Sequence, residues 1–94
     1  MRRPTQEQAA AVLETAQTAA NLRQLDYTVH ARERMFERSA QARDVQSAIS
    51  TATRAIWREE DESWKLTGGR DLDGDHLDVA VAVDGNRVRV ITVF

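Results

Sequence analysis

The chain has 94 residues, of which 41% are hydrophobic and 30% are charged. This composition is typical of one globular domain, which we expect to span residues 1–94, and it is too apolar for wholesale disorder. The net charge of −2 argues against a protein coated in positive charge for nonspecific nucleic-acid binding, although a local basic patch stays open. The absence of cysteine excludes disulfides and thiolate metal sites. With neither an apolar run of membrane-spanning length nor a signal-peptide core, we expect a complete cytoplasmic protein that does not bind membranes.

A long amphipathic helix is the first predicted element. Thr5 and Gln8 have the spacing of a capping box, in which each side chain binds the backbone of the other residue. Apolar residues then recur at helical spacing, and no glycine or proline interrupts the run before Leu25. The members of this stripe are Ala9, Val12, Leu13, Ala16, Ala19, Ala20 and Leu22. Small side chains allow close approach to another element, so we expect this helix to be scaffold.

Two shorter helices follow a break in this pattern at Asp26. The β-favouring residue types at 27–29 predict a short strand or an extended linker. The second helix is predicted from about His30 to about Arg38, and the third begins near Ala42. The apolar face of the third helix consists of Val45, Ala48, Ile49 and Ala52.

The second half of the chain changes to the two-residue period of β-strands. The predicted strands are residues 54–58, 63–67, 76–83 and 86–94. Asp84-Gly85 is a strong hairpin signal between the last two. The run from Val90 to Phe94 is apolar on both faces, which predicts a central strand covered on both sides. We therefore predict an α+β domain in which three helices pack on a mainly antiparallel four-stranded sheet.

The second predicted helix carries the candidate chemistry. His30, Arg34 and Arg38 recur every four residues and share one face. An imidazole can move a proton near neutral pH, and guanidinium groups bind phosphate through paired hydrogen bonds. His30 could thus move a proton to or from a ribose hydroxyl or a leaving oxygen, while the arginines stabilise a charged phosphorane. The alternative is a solvated helix whose arginines pair with Glu33 and Glu37.

Basic and aromatic residues of the predicted sheet are further candidates. Lys65, Arg87 and Arg89 could extend a track for phosphates if the sheet face that carries them is open. If a helix covers that face, they would lie only at its rim. Trp57 and Trp64 could stack on bases, although large aromatic side chains more often pack between a helix and a sheet.

Two other constellations favour structural roles. His30 and His76 could form an acid–base pair, but they lie in different elements and nothing in the sequence brings them together. The acidic residues at 71, 73 and 75 alternate as the oxygen ligands of a metal ion do. The segment lacks the glycine and glutamate positions of an EF-hand loop, so a hairpin loop is the better interpretation. We expect neither a metal site nor a cofactor.

The string His30-Ala31-x-x-Arg34-Met35-x-x-Arg38 resembles the motif helix of a family of small bacterial domains of unknown function. In that family the motif helix precedes an Asp-Val helix, here at residues 44–45, and a sheet similar to residues 73–93. The resemblance covers about residues 27–94. The family is in turn similar to RelE-superfamily toxins, particularly the MqsR type, which are mRNA interferases of toxin–antitoxin pairs.

This resemblance implies a single RelE/MqsR-like domain and a metal-independent endoribonuclease that an antitoxin protein neutralises. His30 would be the acid–base residue, with Arg34 and Lys65 as the other catalytic residues. The substrate would be RNA, either free mRNA or mRNA on the ribosome. The residues that we expect to bind it are Arg32, Arg38, Arg87 and Arg89.

Two positions depart from the family pattern. Ser39-Ala40-Gln41 stands where the family usually has a Gly-hydrophobic-Ser/Thr cap. Phe94 stands where a tyrosine is common, which removes a possible hydroxyl. This second departure and the acidic pI favour an alternative function, a non-catalytic module of the same fold that binds a partner protein or forms a homodimer.

Overall fold

The computed structural model describes residues 3–94, which form three helices and five strands. The helices are α1 (Gln6–Asn21), α2 (Val29–Glu37) and α3 (Ala42–Thr51). The strands are β1 (Leu25–Tyr27), β2 (Arg54–Arg58), β3 (Ser63–Thr67), β4 (Val79–Asp84) and β5 (Arg87–Val93). The α+β class, with one long helix and two shorter ones, is confirmed. Within this part of the chain, no helix has both the length and the apolar character needed to cross a lipid bilayer.

The capping signals of the sequence position the first two helices. Gln8 N donates to Thr5 Oγ1 at 3.1 Å, and Thr5 N donates to the Gln8 side-chain oxygen, as the capping box predicts. The helix ends earlier than expected because Arg23 takes a left-handed conformation with a φ of 57°. This turn releases the chain into β1. Thr28 then caps α2, which begins at Val29, one residue before the expected start.

The five strands lie in the order β1-β5-β4-β3-β2. β1 runs parallel to β5, and the other neighbours are antiparallel. The predicted four-stranded sheet is therefore wrong in its strand count, and the sheet is mixed. β1 has three residues, too few to show alternation, and its partner lies at the other end of the chain. The element order does not test the RelE-like assignment, which stays a prediction.

One face of the sheet packs against all three helices. The buried strand residues of this core are Trp64, Leu66, Val79, Val81, Val88, Val90 and Val93. The buried helical residues are Ala16, Ala19, Ala20, Ala31, Val45, Ala48 and Ile49. Most of these helical side chains are alanine, which lets α1 and α2 lie close to the sheet.

A bulge explains why the end of β5 is apolar on both faces. Val81 of β4 pairs with Val90, whereas the preceding residue of β4 pairs with Thr92, so Ile91 is the extra residue. The bulge resets the alternation, and Val90 and Val93 both face the core although they are three residues apart. The prediction that the last strand is covered on both faces holds only near its C-terminal end. Thr92 is buried, but the arginines earlier in β5 are exposed and no described helix lies over them.

Candidate nucleic-acid interface

The sheet face opposite the helices carries basic side chains from three strands. Residues that stand opposite one another in antiparallel pairs point to the same face, and alternate residues of a strand share a face. Lys65 stands opposite Ile56 of β2 and Ala80 of β4, and Arg89 stands opposite Ala82 of β4. The same alternation places further arginines on this face. We call it the open sheet face, defined by Arg54, Arg58, Lys65, Arg87 and Arg89.

Lys65 and Arg58 meet at the ring of Phe94. The Lys65 Nζ lies 4.5 Å from the ring centroid and the Arg58 Cζ lies 5.1 Å from it, both within reach of cation–π attraction. The Lys65 Nζ is also 3.8 Å from Asp78 Oδ2. The Arg58 Nη1 is 3.1 Å from Asp61 Oδ2, although that ion pair lacks the alignment of a hydrogen bond. These contacts hold two positive groups in a defined place at one end of the open sheet face.

Arg58 was not among the site residues predicted from the sequence, although the inward-facing tryptophans beside it indicate which face it points to. Trp57 and Trp64 stand opposite one another on β2 and β3, with ring centroids 5.2 Å apart and an edge-to-face angle of 63°. Both pack on the helical side of the sheet, and Trp64 is only 8% exposed. Their neighbours Arg58 and Lys65 must therefore face the other way. Trp64 is not available to stack on bases, so packing is its role.

Arg87 and Arg89 lie at the other end of the open sheet face. The Arg87 Nη2 is 3.7 Å from Asp26 Oδ2, and Asp26 stands beside Arg89 in the parallel register of β1 and β5. A groove of about 160 Å³ lies among these residues and is bounded on the β4 side by Ala82 and Asp84. The ion pair is exposed and therefore contributes little free energy. An incoming phosphate could replace it at small cost.

His30 lies in the first turn of α2, and Thr28 ties that turn to β5. The Thr28 N donates to Val90 O at 3.0 Å, and its Oγ1 donates to Ile91 O at 3.1 Å. The same Oγ1 accepts a hydrogen bond of 2.9 Å from Ala31 N, as a helix cap does. His30 itself is exposed, and within residues 3–94 its side chain makes no hydrogen bond or ion pair. The imidazole is thus accessible to a ligand.

The arginines of α2 differ in how they are engaged. Arg34 Nη1 donates to Glu37 Oε2 at 2.9 Å, which is the ion pair that the solvated-helix alternative anticipates. Arg38 is the C-terminal cap of the helix and is exposed. Arg32 lies with its Cζ 5.5 Å from the centroid of the Tyr27 ring. Of the three, Arg38 is the one whose guanidinium makes no side-chain contact of these kinds among the described residues.

The start of α2 and the strand that carries Lys65 reach β5 at the same level. Lys65 and Thr92 lie in one row across β3, β4 and β5, and Thr28 is bound to the residue before Thr92. Two inter-strand steps lead from Lys65 to Thr92, and a third leads from β5 to Thr28. At about 4.8 Å for each step, the backbones of Lys65 and Thr28 are about 14 Å apart. The Lys65 ammonium leans towards Phe94 at the end of β5, which shortens this gap. α2, which carries His30, packs on the helical face of the sheet, whereas Lys65 points to the open sheet face. The structure therefore does not bring these two side chains together on one surface.

His76 and the aspartate loop belong to another region. His76 forms an isolated β-bridge with Arg70, and no hydrogen bond or ion pair of the described residues joins it to His30. Asp71 Oδ1 accepts 2.9 Å hydrogen bonds from Asp73 N and Asp75 N, which is the geometry of a turn. Across residues 3–94, no group of three or more histidine, cysteine, aspartate or glutamate side chains is arranged to hold a metal ion.

The phenol of Tyr27, beside the start of α2, has a shifted pKa. Burial raises the pKa of this group above its usual value of 10.0, and the nearby Arg32 guanidinium and Gln46 side chain oppose part of the shift. The hydroxyl is buried and has no hydrogen bond of good geometry among the described residues. Tyr27 therefore stays protonated at neutral pH and supports the Arg32 guanidinium through its ring rather than through charge.

Comparison with known families adds one finding. A family model described as "Domain of unknown function (DUF4258)" matches residues 27–94. The match includes α2, α3 and β2 to β5, and it begins after α1. No curated protein and no solved structure matches the chain with statistical significance.

Proposed function

We propose that this chain, which belongs to the DUF4258 family over residues 27–94, is the toxin of a type II toxin–antitoxin pair and cleaves mRNA. The observation that supports the proposal most is the pair formed by Lys65 and Arg58 against Phe94 on a sheet face that the helices leave uncovered. Cations on an uncovered surface suit the phosphates of single-stranded RNA. The resemblance of the motif helix to RelE/MqsR-like toxins agrees with this activity.

In the proposed reaction, His30 acts as the general base. It takes the proton of a ribose 2′-hydroxyl, and the oxygen forms a bond with the adjacent phosphorus. The bond between phosphorus and the 5′ oxygen then breaks, and that oxygen takes a proton from the imidazolium or from water. Arg34, one helical turn from His30, stabilises the additional negative charge of the phosphorane. Lys65 lies on the opposite face of the sheet and instead binds another phosphate of the RNA. The products carry a 2′,3′-cyclic phosphate and a 5′-hydroxyl, and the scheme requires no metal ion.

The remaining arginines would hold the RNA on either side of the scissile bond. Arg87 and Arg89 lie at the far end of the open sheet face, and Arg38 lies at the end of α2. Arg32 contributes less in this scheme because its guanidinium already stacks on Tyr27. Each phosphate contact adds to the salt dependence of binding, so RNA affinity should fall steeply as the salt concentration rises.

The second candidate is a non-catalytic module that binds a partner protein. It is favoured by the carboxylates that already face four of the cations: Asp78 at Lys65, Asp61 at Arg58, Asp26 at Arg87 and Glu37 at Arg34. RNA has to compete with these carboxylates, whereas a basic or mixed protein surface could extend the same ion-pair network. Phe94 in place of the family's tyrosine agrees with this candidate.

Expression in bacteria distinguishes the two. The wild type should arrest growth and fragment cellular mRNA, and His30→Ala, Arg34→Ala and Lys65→Ala should each relieve both effects. His76→Ala and Arg43→Ala are matched controls, because they remove an exposed histidine and an exposed arginine away from the open sheet face. Growth arrest that persists in the first three variants, or folded wild type that leaves growth and mRNA intact, would contradict the toxin and favour the binding module.

A further inference from the structure

The outer side of α2 carries the two most exposed large apolar side chains of the described residues. Val29 is 74% exposed and Phe36 is 88% exposed. They are seven residues apart, which is two helical turns, so they share one face. Arg32 and Glu33 lie between them on its two flanks. We call these four residues the outer stripe of α2.

The fold of the single chain uses little of the outer stripe, in which only the Arg32 guanidinium makes a described contact, with the ring of Tyr27. Ala31 is fully buried and Met35 packs against the core. At 100° per residue, Phe36 points about 140° away from Ala31 around the helix. A shallow groove of about 430 Å³ runs along the stripe. Exposed apolar side chains grouped on one element are typical of an interaction site.

We propose that the outer stripe docks on the same stripe of a second copy of this chain. The two α2 helices would lie side by side and parallel, related by a two-fold axis along the helices. Val29 then meets its counterpart in one layer and Phe36 meets its counterpart in another. Between the layers, this symmetry brings Arg32 of each copy against Glu33 of the other on both flanks. The stripe is therefore complementary to itself in charge, and its apolar residues face apolar residues of the other copy.

The charges also select the parallel arrangement over the antiparallel one. In an antiparallel pair the two-fold axis is perpendicular to the helices, and each flank faces the same flank of the other chain. Arg32 would face Arg32, and Glu33 would face Glu33. Like charges at such separations destabilise a helix pair. The flank residues thus determine the direction in which the two helices run.

This interface goes beyond the proposed ribonuclease and does not depend on it. His30 points about 100° away from Val29 around the helix, so it stays outside the contact. α2 has nine residues and is therefore about 14 Å long, so it buries less surface than a standard stable interface. The dimer is accordingly weak, and it forms as the protein concentration rises.

Disulfide trapping tests the arrangement directly, because the sequence has no cysteine of its own. Val29→Cys retains the Phe36 layer. In the parallel pair its two sulfurs face one another, whereas in an antiparallel pair the two positions are about 10 Å apart along the axis and too far for a disulfide. Leu72→Cys is the matched control, since this apolar residue is 59% exposed and lies on a loop outside α2. We expect Val29→Cys to crosslink at least tenfold faster than Leu72→Cys.

Two outcomes of that experiment would overturn the proposal. Equal rates for the two variants would show random collision only. Crosslinks that form between a Val29→Cys chain and a Phe36→Cys chain, but not within either variant alone, would show an antiparallel pair.

Sedimentation of the full chain at rising concentration tests the same interface without cysteine. Wild type and Leu72→Asp should both associate, and Phe36→Asp should remain monomeric with unchanged circular dichroism. Arg32→Glu should weaken association, and the double variant Arg32→Glu with Glu33→Arg should restore it because the flanks are again complementary. Wild type that is monomeric up to about 1 mM, a concentration at which even a contact of about 4 kcal/mol would populate dimers, would overturn the proposal. Association of the Phe36→Asp variant at the same concentrations as the wild type would also overturn the proposal.

Discussion

The Lys65 ammonium lies 4.5 Å from the centroid of the Phe94 ring, and the Arg58 guanidinium lies 5.1 Å from the same centroid. Lys65 is the single lysine of the sequence, and β3 holds it beside the end of β5. An aromatic ring orders a cation without neutralising its charge. A carboxylate orders a cation but competes with phosphate for it. Phe94 therefore helps to hold two positive groups at one end of the open sheet face, where Asp78 and Asp61 also face them.

Replacement of Phe94 tests this role of the ring. Phe94→Leu removes the π face, and we expect RNA affinity to fall about two- to fivefold, which corresponds to a cation–π contribution of about 0.5–1 kcal/mol. Phe94→Tyr is the control that retains the ring. Both should be measured by fluorescence anisotropy with a labelled single-stranded RNA, in a His30→Ala background that prevents cleavage. Equal affinities for the leucine and tyrosine variants would show that the ring does not order the cations.

Thr28 should be the residue on which the placement of His30 depends most. Its hydroxyl both caps α2 and donates to Ile91 O of β5. We expect Thr28→Ala to lower the free energy of unfolding by about 1–2 kcal/mol. Thr28→Ser retains the hydroxyl and should lose much less. Urea unfolding followed by circular dichroism measures both variants, and an alanine variant as stable as the serine variant would refute this account of the helix start.

Tyr27 should make stability depend on pH in the alkaline range. Because burial raises the pKa of its phenol in the fold, folding favours the protonated form. This contribution is complete below the unfolded pKa of about 10 and is lost as the pH rises through the folded pKa. The free energy of unfolding of the wild type should therefore fall more steeply above pH 10 than that of Tyr27→Phe. Urea unfolding at pH 8 and pH 11 checks this, and parallel losses in the two proteins would contradict it.

At neutral pH the same variant should be no less stable than the wild type. The Tyr27 hydroxyl is buried without a well-formed hydrogen bond to the described residues. Its removal eliminates a desolvation cost, and we expect a gain between zero and about 1 kcal/mol. A clear loss of stability at pH 7 would mean that the hydroxyl has a partner that stabilises the fold.

Gly69 should tolerate no side chain. A Cβ at this position would collide with the carbonyl oxygen of Ala48 in α3, and a backbone atom cannot move aside cheaply. We expect Gly69→Ala to cost at least about 2 kcal/mol. Gly85→Asn is a useful comparison, because Gly85 has a φ of 61° and open space around it, and asparagine tolerates that conformation. Thermal unfolding of the two variants should show a large loss only for Gly69→Ala.

Local sequence patterns were enough to predict most elements but not the whole sheet. The Thr5 capping box and the hairpin between the last two strands depend on neighbouring residues. The capping box appears where expected, and the hairpin forms with Gly85-Asn86 as its turn, one residue later than predicted. β1 depends on pairing with a strand at the opposite end of the chain, which local alternation cannot reveal. The bulge at Ile91 also lies outside simple alternation, so the sequence alone suggested a β5 covered on both faces.

The candidate site was predictable to a similar extent. Alternation placed Lys65, Arg87 and Arg89 on one face, and the sheet register agrees. It did not show that the tryptophan pair forces Arg58 onto that face as well. The stacking of Arg32 on Tyr27 was equally hidden, because it requires β1 to join the sheet beside α2.

Cleavage of ribosome-bound mRNA by the purified protein tests the central claim most directly. Primer extension on the RNA, after incubation with wild type, His30→Ala or His76→Ala, locates any cut and measures its rate. We expect discrete cuts by the wild type and by His76→Ala, fragment ends that carry a 2′,3′-cyclic phosphate, and a rate at least 100-fold lower for His30→Ala, as loss of a general base implies. Intact mRNA with folded wild type, or equal cleavage by His30→Ala, would contradict the account.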